Sequence, residues 1–334
     1  MDAGGRGLHR VIACLALALV ATLLLPVLAA TAGPPHGRSP RAAALDARRF
    51  WTPARMKRAE PIEIDHPGTA EPVPATSPAT ALARPRLIPA TAPRLGAAAS
   101  STFDPVAEPA LPGLRQNGVI FLEVEGRLGR CSGTSVSAPN FSVVFTAAHC
   151  VHGGGPRGQW YGDRWLFVPG YRFGQRPFGV FPAKWLDTTS QWLANGSENV
   201  DVGAAVVMRN ERGQRLAAAV GGAGIAWNLP ADQVFDVHGY PVAPPFDGET
   251  QRLCAKTPFL GHDPDSFISG GPLNLAVDCD VTGGASGGGW TIRDDVLNSV
   301  TNYGYPDDRA TDFGSYFGRE VARLYARAAR VRVR

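Results

Sequence analysis

The sequence predicts a mostly β protein, arranged as paired barrels or a sandwich, behind a non-globular N-terminal third. Three observations carry that prediction. Short apolar, β-rich runs recur at Val119 to Val124, Val143 to Phe145, Val202 to Met208, Val234 to Val237 and Val296 to Val300. Clusters of Gly and Pro punctuate them, at 153–156 and 241–248, and 39 Gly with 29 Pro in 334 residues suit a turn-rich β fold joined to a loose segment. The composition then shifts sharply: residues 33–114 hold 15 of the 29 prolines.

The N-terminus reads as a signal peptide over residues 1–32. Arg6, His9 and Arg10 precede the apolar stretch Val11 to Leu25, and Ala30-Thr31-Ala32 fits a small-residue cleavage site. An uncleaved anchor is the alternative, and the only membrane contact expected, but the run is short for a full span and is broken by Pro26. Cys14 sits where a lipoprotein box would place it, yet the apolar core follows it, so it is read as part of the signal core. Residues 33–114 read as a Pro/Ala/Arg-rich prosegment or linker, mostly disordered, because most of the stretch buries too little apolar surface to offset its ordering entropy. The patch Phe50 to Ala59 stands apart: Thr52 fits an N-cap and Pro53 a first helical position. Two readings stay open for it, a transient helix in a loose tail or a propeptide element docked on the folded domain.

Charge excludes one class of partner. Residues 1–114 contain 12 Lys+Arg and 8 Asp+Glu, which accounts for the whole formal charge of +4; the remainder holds 33−12 = 21 basic and 29−8 = 21 acidic residues. The folded part is therefore neutral and makes no case for nucleic acid.

The chemistry concentrates in three segments. Ser286 lies in Thr282-Gly283-Gly284-Ala285-Ser286-Gly287-Gly288, where flanking glycines let the backbone turn tightly and aim N–H groups at one point. His149 ends Thr146-Ala147-Ala148-His149-Cys150, just past a strand. Asp201 opens the apolar run Val202 to Val207, and a buried carboxylate there requires a hydrogen-bonding partner. Singly these are a turn serine, a core histidine and a turn acid; together, in the order His, Asp, Ser, they spell a nucleophile with its base and orienting acid. Gly284 to Gly288 also matches the nucleophile elbow of α/β-hydrolases, but that fold needs its histidine after the serine, and the last histidine here is His262. No C-x-x-C or H-E-x-x-H spacing supports zinc, so neither a metal nor a cofactor is expected.

These residues identify a resemblance. Thr146 to Cys150, Val200-Asp201-Val202-Gly203 and Thr282 to Gly288, with weaker matches at Phe167 to Tyr171, Phe178 to Phe181 and Asn302 to Tyr305, resemble the secreted trypsin-like (chymotrypsin-fold) serine proteases common in actinobacteria. The resemblance covers residues from about 115 to 327. It implies an all-β fold of two six-stranded antiparallel barrels, the first at 115–220 carrying His149 and Asp201, the second at 221–315 carrying Ser286, with the cleft between them. Val321, Leu324 and Tyr325 have helical spacing, so a C-terminal helix is expected to pack on the second barrel, followed by a frayed basic tail at 328–334.

The implied activity is that of a secreted serine endopeptidase working on peptide or protein substrates as a monomer. The backbone N–H groups of Gly284 and Ser286 would form the oxyanion hole. Thr301, Asn302, Tyr303 and Gly304 would wall the pocket for the residue before the scissile bond, and Asp280, six residues before Ser286, stands at the offset of a pocket carboxylate. Four cysteines outside the signal allow three pairings. Cys131 and Cys150 flank the hairpin that delivers His149 and are paired, which joins Cys254 to Cys279. Two departures matter. Ala285 stands where animal relatives carry the Asp that pairs with a new N-terminus, so activation by that ion pair is not expected, and Gly289 replaces a Pro. A chymotrypsin-fold peptide-binding protein with little turnover is the alternative, and an esterase on the same residues is separable only by assay.

Overall fold

The structure is a computed structural model that describes residues 37–38, 41–64, 72–73, 84–94, 115–269 and 272–333. The signal peptide expected at 1–32 lies outside the described residues. Among the described residues, sixteen strands and five α-helices follow one another. The strands are β1 (Gly37–Arg38), β2 (Glu60–Pro61), β3 (Arg86–Ile88), β4 (Asn117–Val124), β5 (Arg127–Val136), β6 (Val143–Thr146), β7 (Leu166–Pro169), β8 (Phe181–Thr188), β9 (Gly203–Val207), β10 (Gly224–Trp227), β11 (Val234–Gly239), β12 (Arg252–His262), β13 (Leu275–Asp278), β14 (Gly289–Ile292), β15 (Val296–Tyr305) and β16 (Asp308–Gly314). The helices are α1 (Arg41–Phe50), α2 (Pro53–Lys57), α3 (Ser190–Asn195), α4 (Leu216–Val220) and α5 (Arg319–Arg330). Among the described residues no helix is long and apolar enough to cross a membrane.

Two closed barrels result, as the sequence predicts. Around the first, β4 pairs β5, β5 pairs β6, β6 pairs β9, β9 pairs β8, β8 pairs β7 and β7 returns to β4, every pair antiparallel. Around the second, β11 pairs β12, followed by β13, β16, β15 and β14, which returns to β11, again antiparallel throughout. Closure removes the free edges that an open antiparallel sheet leaves.

The first barrel is apolar on both faces of β4. Ile120 and Leu122 point inward to Phe167, Phe181 and Leu186, while their neighbours Val119 and Phe121 point outward, as period-two alternation requires. An outward apolar face in an antiparallel barrel needs cover. Trp51, Met56 and Ala59 provide it, packing with Val119, Phe121, Leu166, Val168 and Tyr171. Thr52 caps α2 by accepting from the Arg55 backbone N–H, with Pro53 in the first turn, and Trp51 Nε1 donates to Arg164 O at 2.6 Å. The stretch 41–64, inside the segment read as mostly disordered, is thus ordered on the first barrel, and β3 adds to β10 beside the second. Burying Trp51 and Met56 fully is worth roughly 2–3 kcal/mol each, and this anchors the piece on the barrel.

Two expectations at the C-terminus are corrected. Helix α5 does form, but it does not pack chiefly on the second barrel. Val321, Leu324, Tyr325 and Ala328 join Phe145, Trp185, Ala204 and Val206 of the first barrel together with Ile225, Trp227, Leu297 and Val300. The uninterrupted apolar sequence of β9 leaves Ala204 and Val206 facing outward, and α5 is what covers them. The tail is also held rather than frayed. Asn140 Nδ2 donates to Ala328 O and Val331 O, Arg215 donates to Val333 O, and Val333 is buried. The apolar Val333 side chain and these polar side chains, not the basic residues, decide the outcome.

Candidate active site

Two of the three predicted residues sit at strand ends of the first barrel and the third in a loop of the second. His149 occupies a single 3₁₀ turn, Ala148–Cys150, directly after β6. Asp201 caps another, Glu198–Val200, directly before β9. Because β6 and β9 are paired neighbours, with Thr146 opposite Gly203, the two side chains meet. His149 backbone N–H donates to Asp201 Oδ1 at 2.9 Å, and ring Nδ1 lies 2.7 Å from Oδ2. Asp201 is fully buried, and both of its carboxylate oxygens face His149. Nε2 is buried without a hydrogen-bond partner.

Ser286 arrives from the second barrel on the β13–β14 connection. Ala285 N–H donates to Thr282 O and Gly288 N–H to Ala285 O, winding the loop tightly, while Gly287 N–H donates to Thr301 O at 2.7 Å. The N–H groups of Gly284 and Ser286, predicted for the oxyanion hole, enter none of these turns. The loop is docked on the first barrel through Ser132, whose N–H donates to Ser286 O and whose hydroxyl donates to Gly284 O, both at 2.8 Å. Gly287 makes that approach possible: its φ is +80°, and a Cβ there would fall 2.0 Å from Thr146 Oγ1. The disulfide Cys131–Cys150 lies beside this contact, and Cys254–Cys279 ties β12 to the end of β13, both in the pairings expected. The ligand atoms of Cys131, His149 and Cys150 lie within 4.8 Å of one another, but both sulfurs are committed to the disulfide and cannot bind a metal.

The predicted pocket residues are partly brought to this centre. Asn302 is close: its Nδ2 donates to Asp201 O at 2.6 Å. Thr301 accepts from Trp290 Nε1 and donates to Asp312, whose fully buried carboxyl is pushed well above the usual carboxylate range by desolvation. Tyr303 turns its hydroxyl to Asp263 and accepts from Asn274 Nδ2. Gly304 and Asp280 are exposed. Sequence reasoning missed Ser132, Asp263 and Asp312, because their roles depend on cross-strand and cross-barrel neighbours that no local motif announces. His152 and His238 are buried, and His238 lies between Gln251 and Thr291.

Known structures share this fold. The protease Anisep from Arthrobacter nicotinovorans is similar at 34% identity and TM-score 0.61, with 66% of this chain covering 98% of that one. The chain belongs to the trypsin-like, chymotrypsin-fold serine proteases. A thermostable serine protease, AL20, from an extremophilic microorganism is similar at 30% identity and TM-score 0.58, with 66% of this chain covering 99% of that one. No family model and no curated protein matches the chain. As a member of this family the chain is a serine endopeptidase, a hydrolase acting on peptide substrates.

Proposed function

We propose that the protease is exported and cleaves peptide bonds through Ser286, His149 and Asp201 by way of an acyl-enzyme. The observation that carries this is the His149–Asp201 pair, two hydrogen bonds between fully enclosed groups, set beside a serine loop wound around glycines. Ser286 Oγ attacks the scissile carbonyl while His149 Nε2 takes its proton. His149 then passes that proton to the leaving amine, and water repeats the sequence on the ester. Asp201 fixes the tautomer and stabilises the imidazolium. Gly284 and Ser286 N–H groups receive the oxyanion, each such donor being worth about 10²–10³ in rate. The two disulfides support an oxidising destination outside the cytoplasm, in keeping with the signal read at 1–32.

One observation favours the alternative, a peptide-binding protein with little turnover: His149 Nε2 has no hydrogen-bond partner in the resting site. Such bonds often tighten only with substrate bound. A fluorophosphonate probe separates the two readings. Wild type is expected to label, with labelling lost in Ser286→Ala and His149→Ala. An unlabelled wild type, folded and fully processed, would hand the site to the binding reading.

A further inference from the structure

A second side chain on β5 joins the two barrels. Arg130 stands two residues before Ser132, so both leave the same face of the strand. Only 1% of Arg130 is exposed. Its Nη2 donates to Gly248 O, and its Nε is enclosed without a hydrogen-bond partner. The guanidinium carbon lies 5.6 Å from the Phe121 ring and 5.9 Å from the Tyr171 ring. Burial lowers the Arg130 pKa, opposed by Tyr171, Glu249, Tyr240 and Asp247, and a guanidinium stays charged in proteins. Gly248 permits the approach: its φ is +70°, and a Cβ there would fall 2.7 Å from Arg130 Nη1.

Gly248 belongs to the β11–β12 loop, residues 240–251, and this loop touches both the serine loop and the first barrel. Its early residues lie on the serine loop. Val242 N–H donates to Gly283 O at 2.8 Å and Ala243 N–H to Thr282 Oγ1 at 3.1 Å. A Cβ on Gly284 would fall 2.7 Å from Val242 Cγ2. Its late residues lie on the first barrel. Glu249 Oε2 accepts from the Tyr171 hydroxyl at 3.1 Å, and Glu249 O accepts from Phe173 N–H at 3.0 Å. The Arg130 bond to Gly248 falls at this second end, inside the aromatic enclosure of Phe121 and Tyr171.

Neither loop carries what it needs to fix itself. Residues 281–288 hold no charged side chain, so no ion of their own can order the serine loop. Pro241, Pro244 and Pro245 have no N–H to donate, so the β11–β12 loop is short of backbone bonds over its first half. An outside anchor therefore decides where residues 240–243, and the serine loop beneath them, come to rest. A buried cation is costly unless it is well paired, and Arg130 spends its position on that anchor.

We propose that Arg130 is a positioning residue for the nucleophile: by clasping Gly248 it seats the β11–β12 loop against residues 282–284 and so aims the Gly284 N–H at the oxyanion. The proposal rests on the serine-protease reading of Ser286. Arg130 differs from Ser132, which bonds Gly284 directly: it touches neither substrate nor serine loop and acts only through the loop it holds.

The test compares wild type, Arg130→Met, Arg130→Lys and Gly248→Ala, with thermal melting to confirm the fold. An apolar replacement of similar length is often tolerated where a buried ion is removed. On one peptide anilide, kcat of Arg130→Met should fall about 10²-fold, the cost of a misplacement of about 1 Å, with KM within about twofold of wild type. A peptide boronic acid of the same sequence bonds Ser286 and sets an oxygen where the oxyanion forms, so its affinity should fall in parallel with kcat. Arg130→Lys keeps the charge and one donor for Gly248 O and should lie nearer to wild type than Arg130→Met. Gly248→Ala leaves Arg130 in place and pushes the loop away through the added Cβ. It should show the same split between kcat and KM, and it carries the test if Arg130→Met does not fold. A folded Arg130→Met with kcat within about threefold of wild type overturns the proposal. So does a rise in KM with kcat and boronic-acid affinity unchanged, and so does an Arg130→Lys no better than Arg130→Met. Absence of fluorophosphonate labelling in wild type would instead fail the serine reading, and the proposal with it.

Discussion

The two halves of the proposed catalytic centre are secured in different ways. The acid–base half is built within one barrel: His149 and Asp201 sit at the ends of paired strands, and the two hydrogen bonds between them stay inside it, while the second barrel reaches it through Asn302, which donates to the Asp201 carbonyl. The nucleophile half is not. Ser286 comes from the second barrel, but its carbonyl and that of Gly284 are bonded by Ser132 of the first. A pair can be built from local geometry. A nucleophile loop needs the second body to aim it.

The largest effect should come from breaking the acid–base half. In Asp201→Asn the amide presents a donor to His149 Nδ1 and favours the wrong tautomer. Removing this role of the acid costs about 10⁴ in kcat in enzymes of this mechanism. The expected outcome is a fall of that order with thermal stability nearly unchanged, measured by turnover and by thermal melting. A loss of fold with the activity would show that the pair is structural.

A smaller effect should expose the second barrel. His238 lies on β11, next to β14, which carries the chain away from Ser286. Burial pushes its pKa down from 6.5 to about 4. The unfolded chain therefore binds a proton between pH 6.5 and 4 that the folded chain refuses. The stability due to neutral His238 is complete above about 6.5 and is lost as pH falls towards 4, on the order of 3 kcal/mol. Urea unfolding from pH 7 to 4 should show wild type losing stability faster than His238→Gln. Parallel curves would mean that the ring titrates normally.

How much of this was legible follows from the same contrast. The His149, Asp201 and Ser286 segments were readable because each is a local arrangement whose residue types must stand together. The barrel strands were readable because apolar runs and Gly/Pro breaks are local as well. The packing of α5 on Ala204 and Val206 was not readable, since helical spacing reveals an apolar face and not its partner. Nor was the seating of Trp51 on Phe121, where two short helices in a Pro-rich stretch gain their stability from a surface 70 residues onward. Ser132 carries no signal of its own: a serine in a strand looks like any other.

Ser132 gives the sharpest test of the dependent half, with the smallest expected effect. Its hydroxyl donates to Gly284 O and accepts from Tyr240 N–H, so one fully buried side chain fastens the serine loop and the start of the β11–β12 loop in the second barrel to the first. Ser132→Ala leaves both of those backbone groups without that partner, at about 1–3 kcal/mol for buried groups left unsatisfied. The Ser132 N–H bond to Ser286 O survives, because the backbone is unchanged. Stability should therefore fall by about 2 kcal/mol, while the His149–Asp201 pair stays intact. The signature is a lower kcat with an unaltered acid limb of the pH–rate profile. A shifted limb would mean that the loop and the acid–base pair are one unit, and the contrast drawn between the halves would fail.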